Sequence, residues 1–261
     1  MPTLPSLIAL DLDGTLLRSD KSLSARTLQA LEACKRAGIQ LAIASARGAA
    51  SISLIVPELL KDALWVTHNG ALAVRNGIIL HSAPIQAQAL QAAVDFAYRC
   101  QPPALLFAEL DGRPCCSQDV EAMWGVGFHT VDFRTLGDQA VAKVLVQWPS
   151  SHALSELKDH LPEDVEMILD RDSYVHVQRL GVSKHRALEL CLTDLDISWS
   201  QVCAFGDDIT DSGMLAAAGI GVAMGNALDS VKAQADHVTL TNDQDGVAVF
   251  LEAMLLQSRP A

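Results

Sequence analysis

The chain has 261 residues, half of them hydrophobic, and a formal net charge of −12 at pH 7. This length is enough for one large domain or two modest ones with a substantial core. The acidic balance argues against a general nucleic-acid or anionic-membrane surface, since either would need a basic face. A phosphorylated small molecule is not excluded, because a few local cations and a metal ion could hold one.

The amino terminus and the cysteines bear on the cellular compartment. We expect no signal peptide, because no basic segment precedes an apolar core, and no apolar run is long enough to span a bilayer. The six cysteines form no metal-type C-x-x-C pair, and Cys34, Cys191 and Cys203 lie in apolar segments that favour buried thiols. The adjacent Cys115 and Cys116 leave a redox role open. Together these features predict a soluble, reduced, cytoplasmic protein.

The first apolar run ends in two carboxylates. The run that begins at Leu7 predicts a strand buried on both faces, as in parallel sheets. Because side chains alternate along a strand, Asp11 and Asp13 point the same way, and Gly14 lets the chain turn out of the strand. Two buried like charges repel each other, so a hard divalent cation with oxygen ligands is expected beside them. The plain alternative is an acidic turn, since Asp-Gly is common turn chemistry.

Helix and strand patterns then alternate. The predicted elements are a helix over 25–37, buried strands over 39–44 and 64–67, and a hairpin over 74–81. The two strands end at Ser45 and at His68-Asn69-Gly70. Strand–helix–strand connections are right-handed, so we expect Ser45 to emerge at the same sheet edge as Asp11.

The pattern changes in the middle of the chain. The predicted elements are helices over 87–100 and 151–160 and strands over 104–110, 142–148, 165–169 and 174–178. Residues 113–138 give no clear element. An α+β block between the halves of a parallel α/β domain predicts a second domain over a cleft. We therefore expect a core of residues 1–82 and 181–261 and an α+β cap of residues 83–180.

The α/β pattern returns near residue 181. Ser183 is a plausible helix cap, with Lys184 in the first turn. A lysine there opposes the helix dipole unless it faces an anion that the helix end also attracts. A strand over 201–205 then leads to Asp207, Asp208 and Asp211. A strand over 220–224 leads to Gly225-Asn226, and the last helix follows Asp245-Gly246.

Polar side chains thus stand at several strand ends and at one helix start. They are Asp11, Asp13, Ser45, Asn69, Asp207, Asp208, Asp211 and Lys184. In an open α/β sheet the strand ends form the ligand crevice. Carboxylates, a hydroxyl and an ammonium are the groups used in metal-assisted phosphoryl transfer. The sequence therefore predicts a Rossmann-like, doubly wound α/β core with a phosphoryl-transfer site at this edge.

These segments resemble the signatures of the haloacid dehalogenase-like hydrolases. The matching segments are Asp11-Leu12-Asp13-Gly14-Thr15, Ser45, Lys184 in Gly-Val-Ser-Lys, and Asp207 with Asp211 in Gly-Asp-x-x-x-Asp. Three further segments resemble the Cof-type phosphatase subfamily, whose members carry a large type IIB cap. They are His68-Asn69-Gly70-Ala71, Ala223-Met224-Gly225-Asn226-Ala227 and Asp245-Gly246-Val247. The resemblance covers roughly residues 1–81 and 181–261.

The resemblance implies catalytic roles for four residues. Asp11 would attack phosphorus to give an aspartyl-phosphate. Asp13 would protonate the leaving oxygen and then accept a proton from the hydrolytic water. Lys184 and Ser45 would hold the phosphoryl oxygens.

The resemblance also implies a cation and substrate contacts. Mg²⁺ would be held by the Asp11 carboxylate, the Asp13 backbone carbonyl and Asp207. Asp211 would orient the metal's waters or Lys184. The residues expected to contact the substrate are Asn69, Gly70, Arg47 and Thr210.

Three positions depart from the family pattern. Thr210 stands where Asn is common and has no amide donor. Ser45-Ala46-Arg47 replaces the commoner Thr-Gly-Arg but keeps the hydroxyl. His176 stands where an acidic residue is frequent, and either a substrate contact or a structural role fits it. No essential chemical group is lost, so we expect activity.

The expected function is Mg²⁺-dependent hydrolysis of a small phosphorylated metabolite, with a sugar phosphate as the hypothesis. Flavin mononucleotide or pyridoxal phosphate would also fit. A phosphosugar mutase on the same scaffold and a non-catalytic phosphate-binding protein stay open. A signalling receiver domain uses similar residues, but it would lack the cap and the acid/base at Asp13. The sequence indicates neither the substrate nor the oligomeric state.

Overall fold

The computed structural model describes residues 4–120, 127–147, 151–169 and 174–258. The chain divides into two compact units. The first, called here the core unit, comprises Met1–Arg47, Ser53–His81 and Ser183–Ala261. The second, the inserted unit, comprises Gly48–Ile52 and Ser82–Val182.

The described residues contain strands and helices in alternation. The strands are β1 (Leu7–Leu10), β2 (Gln40–Ala44), β3 (Leu64–Thr67), β4 (Leu72–Arg75), β5 (Ile78–Ser82), β6 (Leu106–Leu110), β7 (Arg113–Cys116), β8 (His129–Thr130), β9 (Val144–Gln147), β10 (Val165–Leu169), β11 (Tyr174–Arg179), β12 (Val202–Gly206), β13 (Ile220–Ala223) and β14 (His237–Val238). The helices are α1 (Ala25–Arg36), α2 (Ala49–Ile55), α3 (Ala87–Arg99), α4 (Ser151–His160), α5 (Lys184–Asp194), α6 (Ser212–Ala217), α7 (Asp229–Lys232) and α8 (Gly246–Gln257).

The sheet of the core unit has the strand order β14-β13-β12-β1-β2-β3-β4-β5. Strands β14 to β3 in this order run parallel, and β4 is antiparallel to β3. All four residues of β1 are buried, as expected of a central parallel strand covered on both faces. The mixed, mainly parallel sheet with its helices confirms the predicted α/β fold.

The register of the central strands sets where their ends lie. Leu10 of β1 is opposite Phe205 of β12 and Ile43 of β2. One strand further out, Ala44 of β2 is opposite Val66 of β3. The strands are parallel and end nearly level, so the polar segments after them begin at one edge of the sheet.

Local signals fix the helices beside this sheet. The hydroxyl of Ser24 accepts a hydrogen bond from the Thr27 backbone N–H and caps α1. Gly38 follows α1 at a φ of +84°, where glycine carries no Cβ penalty. Ser183 caps α5 in the same way, through the Arg186 N–H, so Lys184 is the first helical residue as predicted.

The inserted unit contains a six-stranded sheet in the order β10-β11-β9-β6-β7-β8. Neighbours are antiparallel except β7 and β8, which are parallel. One face contributes alternate residues such as Val144 and Val175 to an apolar cluster with α3 and α4. On the other face, Phe107 packs edge-on against Tyr174, with ring centroids 5.7 Å apart.

A polar pair lies on this second face of the inserted sheet. The alternation along β9 and β11 places Lys143 and His176 on the face of Tyr174. Both are buried, and the Lys143 Nζ lies 2.9 Å from the His176 Nδ1. A lysine ammonium has only donors, so Nδ1 is the atom that would accept the hydrogen bond of a protonated Lys143.

Some local elements were not predicted from the sequence. Residues 113–138 gave no clear element, yet β7, β8 and a 3₁₀ turn at Phe133–Thr135 lie there. The short helices α2, α6 and α7 have at most seven residues, which is too few for a helical period to stand out. Trp148, the predicted end of β9, falls outside the described residues. Among the helices that are described, none is long and apolar enough to cross a membrane.

Candidate active site

The carboxylate of Asp11 lies directly beyond the central strand. The Asp11 N–H still donates to the Phe205 carbonyl, over 3.1 Å, so the ladder between β1 and β12 continues to this residue. The Asp11 residue is only 5 % exposed. A carboxylate in such a place needs a compensating partner.

Lys184 supplies that partner. Its Nζ lies 2.7 Å from an Asp11 carboxylate oxygen and 2.6 Å from an Asp211 oxygen. Lys184 is 2 % exposed and Asp211 is fully buried. The start of α5 therefore delivers one ammonium between two carboxylates that come from distant parts of the chain.

Asp211 also organises the turn after β12. Its second carboxylate oxygen accepts hydrogen bonds from the backbone N–H groups of Asp207 and Asp208, at 3.0 and 3.1 Å. A Cβ on Gly206 would lie 2.4 Å from the Asp211 Cβ, so only glycine allows this approach. Asp211 thus orients both Lys184 and the segment that carries Asp207.

Asp207 faces the turn after β1. The Thr15 hydroxyl donates to one Asp207 oxygen over 3.1 Å. Gly14 has a φ of +83°, and a Cβ there would lie 2.5 Å from the other Asp207 oxygen. The Asp-Gly-Thr segment therefore holds Asp207 by one hydrogen bond and one close steric contact.

Three carboxylates form a cluster at this edge. Asp11, Asp207 and Asp211 each offer an oxygen, and these oxygens lie within 4.8 Å of one another. Burial raises the pKa of the Asp11 carboxyl well above its usual range, with Lys184 opposing the rise and the other two carboxylates adding to it. Burial and the neighbouring Asp211 raise the pKa of Asp207 to about 6.

The charge balance explains these shifts. Burial alone would lower the pKa of Lys184, but Asp11 and Asp211 outweigh it and the pKa rises. Lys184 therefore stays protonated, and one ammonium is shared among three carboxylates. The excess negative charge and the all-oxygen donor set fit a hard divalent cation. Both Asp211 oxygens accept protein hydrogen bonds, whereas Asp11 and Asp207 each accept one side-chain hydrogen bond on a single oxygen, so Asp11 and Asp207 are the better candidates to hold the cation.

Asp13 points its carboxylate towards two cations. The Arg47 guanidinium binds both carboxylate oxygens, at 2.6 and 2.8 Å, and Lys21 Nζ lies 2.8 Å from one of them. Burial favours a raised pKa for Asp13, but Arg47 and Lys21 outweigh it and lower the pKa to about 2. The Asp13 carboxylate therefore lies outside the cluster of three and is ionised in this arrangement.

The remaining predicted residues lie at the neighbouring strand ends. Ser45 is buried after β2, and its hydroxyl accepts from the Arg47 N–H at 3.1 Å. Asn69 is buried after β3, and its N–H donates to the Ser45 carbonyl at 3.0 Å. Thr210 is half-buried in the 3₁₀ turn that contains Asp211.

Gly70 packs against the start of α5. A Cβ at Gly70 would lie 2.2 Å from the Ser183 carbonyl oxygen, and the φ of Gly70 is +106°. The turn after β3 is therefore in close contact with the peptide that precedes Lys184. This contact limits how closely the start of α5 can approach the turn after β3, and hence where its first side chain, Lys184, lies.

The structure brings most of the predicted residues to one sheet edge. Direct contacts join Asp11, Asp211 and Lys184, and another joins Arg47 to Asp13. Sequence reasoning missed Lys21 and gave no role to Thr15 or Asn226. Thr15 and Asn226 lay inside quoted motifs, which was a signal for both. Lys21 offered none, because a single lysine in a polar loop is ordinary.

Comparisons with known proteins are consistent with this geometry. The sequence family described as haloacid dehalogenase-like hydrolase matches residues 8–251. A Bacillus subtilis protein named 5-amino-6-(5-phospho-D-ribitylamino)uracil phosphatase is 29 % identical, over 97 % of this chain and 98 % of its own. A haloacid dehalogenase-like hydrolase from Bacteroides thetaiotaomicron has a TM-score of 0.86 at 25 % identity, covering 96 % and 99 % of the two chains. A subclass IIB sugar phosphatase has a TM-score of 0.83 at 23 % identity over the same shares.

Replacing Gly70 tests its packing against α5. Gly70→Ala should reduce the free energy of unfolding in urea by about 3 kcal/mol or more, since the added Cβ meets a backbone carbonyl and the backbone is strained. Gly77→Ala is the matched control, because Gly77 also has a positive φ, +77°, but open space at its Cβ. It should cost about 1 kcal/mol from backbone strain alone. Equal losses in the two variants would contradict the close packing.

Proposed function

Because this chain belongs to the haloacid dehalogenase-like hydrolases, we propose that it is a Mg²⁺-dependent phosphatase of small phosphorylated metabolites. The observation that carries the proposal is the contact of Lys184 with both Asp11 and Asp211 beside Asp207. A buried nucleophile, a fixed ammonium and an oxygen donor set are the groups that phosphoryl transfer from an ester requires.

In the proposed reaction, Asp11 is the nucleophile. One of its carboxylate oxygens attacks phosphorus, an O–P bond forms, and the ester O–P bond breaks. The product of this step is an aspartyl-phosphate and an alcohol. Water then attacks the phosphorus, which releases inorganic phosphate and restores the Asp11 carboxylate.

Asp13 handles the protons in both halves of the reaction. The ionised form, which Arg47 and Lys21 stabilise, can take a proton from the attacking water. Donation to the leaving oxygen requires a protonated Asp13. Weaker contact with Arg47 and Lys21 favours that form, because those two cations are what lower the Asp13 pKa.

Lys184 balances negative charge in the proposed reaction, and a cation held beside it would add to this effect. Lys184 is placed to stabilise the negative charge of the transferring phosphoryl group, and Ser45 is placed to donate a hydrogen bond to it. We propose that Asp11, Asp207 and the Asp13 backbone carbonyl hold Mg²⁺. When bound, this cation supplies the positive charge that lets a carboxylate approach a phosphate dianion.

We propose a phosphorylated sugar or polyol as the substrate, selected by the inserted unit. The phosphoribityl group in the name of the Bacillus relative is a phosphate ester of a polyol chain. The buried Lys143–His176 pair adds polar groups to an otherwise aromatic and apolar sheet face, and we propose that it influences the choice of a hydroxyl-rich partner. A mutase on the same scaffold would move the phosphate instead of releasing it.

The first experiment measures phosphate release from p-nitrophenyl phosphate with MgCl₂ and with EDTA. We expect turnover only with Mg²⁺, and a loss of roughly 10³-fold or more in Asp11→Asn, since the covalent step loses its nucleophile. Asp62→Asn is the control, because Asp62 is an exposed carboxylate paired with Lys35, and it should keep full activity. Turnover that persists in EDTA, or in Asp11→Asn, would refute the proposal.

The second experiment measures the rise in Tm that MgCl₂ causes at pH 7.5 and at pH 5.5. Saturation at about 100 Kd should stabilise the fold by about 2.7 kcal/mol, equal to a rise of roughly 5–10 °C. The rise should be smaller at pH 5.5, where Asp207, with a pKa of about 6, holds a proton that the cation must displace.

The stabilisation by Mg²⁺ grows as the pH rises, whereas the Asp207 contribution to the stability of the cation-free protein changes in the opposite direction. A raised carboxyl pKa means that the folded state binds more protons than the unfolded state between about pH 4 and 6. The contribution of Asp207 to the stability of the cation-free protein therefore falls as the pH rises through that range. Asp207→Asn should lose most of the Mg²⁺ effect and Asp62→Asn none of it. An equal rise in Tm at both pH values would count against Asp207 as a ligand.

The third experiment compares kcat/KM for hexose and pentose phosphates, flavin mononucleotide and pyridoxal phosphate. We expect at least a ten-fold preference for sugar phosphates over pyridoxal phosphate. His176→Gln should change this ratio several-fold while leaving p-nitrophenyl phosphate turnover within about two-fold. Equal hydrolysis of all substrates would exclude one dedicated sugar phosphate. An unchanged ratio in the variant would exclude His176 from selection.

A further inference from the structure

The turn after β13 links two strand ends that carry the proposed cation ligands. In this turn, Met224–Leu228, the Met224 N–H donates to the Gly206 carbonyl and the Leu228 N–H to the Asp207 carbonyl, at 3.0 and 3.1 Å. The side-chain Nδ2 of Asn226 donates to the Gly14 carbonyl over 2.8 Å. One short turn is therefore bonded to the backbone on both sides of the carboxylate cluster.

The orientation of the Asn226 amide is fixed from its other end. Its Oδ1 accepts a hydrogen bond from the Asn242 backbone N–H at 3.0 Å. An N–H can only donate, so the amide oxygen must face Asn242 and the NH₂ group must face Gly14. The buried Asn242 side chain donates in turn to the Leu17 carbonyl over 2.9 Å, which ties the Asn242 segment to the loop after β1.

The carbonyl that Asn226 holds belongs to a residue in contact with Asp207. Gly14 lies so close to the Asp207 carboxylate that a Cβ would meet it at 2.5 Å. Thr15, the next residue, donates to that carboxylate, and Asp13, the residue before, carries the proposed acid/base. A change in the Gly14 peptide would therefore move groups on both sides of the proposed cation.

We infer that Asn226 is a positioning residue that sets the spacing between the Asp13–Thr15 turn and Asp207. This inference deepens the proposed function and rests on it. Asn226 itself does not touch the reacting groups and acts through Gly14. The far end of the same loop is held separately, by Arg18 with Asp245 and by Ser19 with Asp243. Removing the Asn226 amide should therefore loosen the ligand end of the loop and leave the rest of the fold in place.

The test titrates MgCl₂ into native protein and Asn226→Ala and follows Tm, which needs no activity. We expect the half-saturating Mg²⁺ concentration to rise at least five-fold and the Tm without Mg²⁺ to change by no more than about 3 °C. In the p-nitrophenyl phosphate assay at saturating Mg²⁺, kcat should fall about ten-fold or more, with KM within three-fold, because misplaced catalytic groups slow the chemical step. Unchanged Mg²⁺ affinity, or a kcat within two-fold of native, would overturn the inference.

Gln234→Ala is the matched control. The Gln234 side-chain amide also donates to a backbone carbonyl on the surface of the core unit, that of Ser230 at 3.1 Å, but Gln234 is outside the turn. It should change neither Mg²⁺ affinity nor kcat. If it changes both as Asn226→Ala does, the effect is general loosening and the positioning role is wrong.

A second variant, Asn226→Asp, isolates the Gly14 contact. It keeps an acceptor for the Asn242 N–H and loses the donor to the Gly14 carbonyl. An added carboxylate would by attraction tighten cation binding, so weaker Mg²⁺ binding in this variant points to misplaced ligands. Tighter binding with native kcat would refute the inference, and this variant decides the matter if Asn226→Ala does not fold.

Failure of the proposed function gives a different result. Native protein that binds Mg²⁺ but hydrolyses no phosphate ester would refute the phosphatase proposal, and the difference in Mg²⁺ affinity between native protein and Asn226→Ala would still test positioning. Native protein whose Tm does not respond to Mg²⁺ would refute both.

Discussion

The contact between Lys184 and two buried carboxylates is the interaction on which the candidate site depends. An uncompensated charge in this position would be strongly destabilising, so Asp11, Asp211 and Lys184 require one another. Asp211 then fixes the Asp207 turn through two backbone N–H groups, and Gly70 holds the start of α5 in place. The three ionic groups thus determine both the local electrostatics and the path of two loops.

The parallel register gives these groups their common location. With Leu10, Phe205 and Ile43 side by side, the segments that follow β1, β2 and β12 start from nearly the same level. Short turns then suffice to bring the Asp207 and Asp211 carboxylates after β12 and the Ser45 hydroxyl after β2 towards the centre. The level strand ends bring most of these polar groups together. Hydrogen bonds such as that of Asn226 to Gly14 then set the spacing between neighbouring turns.

The fold class, the family and most of the residues at the strand ends could be predicted from the sequence. A buried parallel strand appears as a short apolar run, and the polar residues at its end follow it directly in the chain. The sequence could not predict that Asp13 turns away to Arg47 and Lys21, since side-chain pairing across a loop follows no spacing rule. It also did not predict that Gly70 packs on Ser183, and the substrate contact expected of Gly70 stays a prediction. The roles in catalysis and the domain boundaries stay predictions.

The position of β1 has a consequence for biosynthesis. Its neighbour β2 follows within about thirty residues, but the hydrogen bond from Thr15 to Asp207 spans 192 positions and that from Lys184 to Asp11 spans 173. As the ribosome makes the chain, the backbone N–H and C=O groups on one edge of β1 have no partner strand until β12 has emerged. Such a nascent edge is exposed to wrong pairing, and contacts this distant in sequence form slowly. A central strand that gives the site its rigidity thus makes the growing chain dependent on its last third.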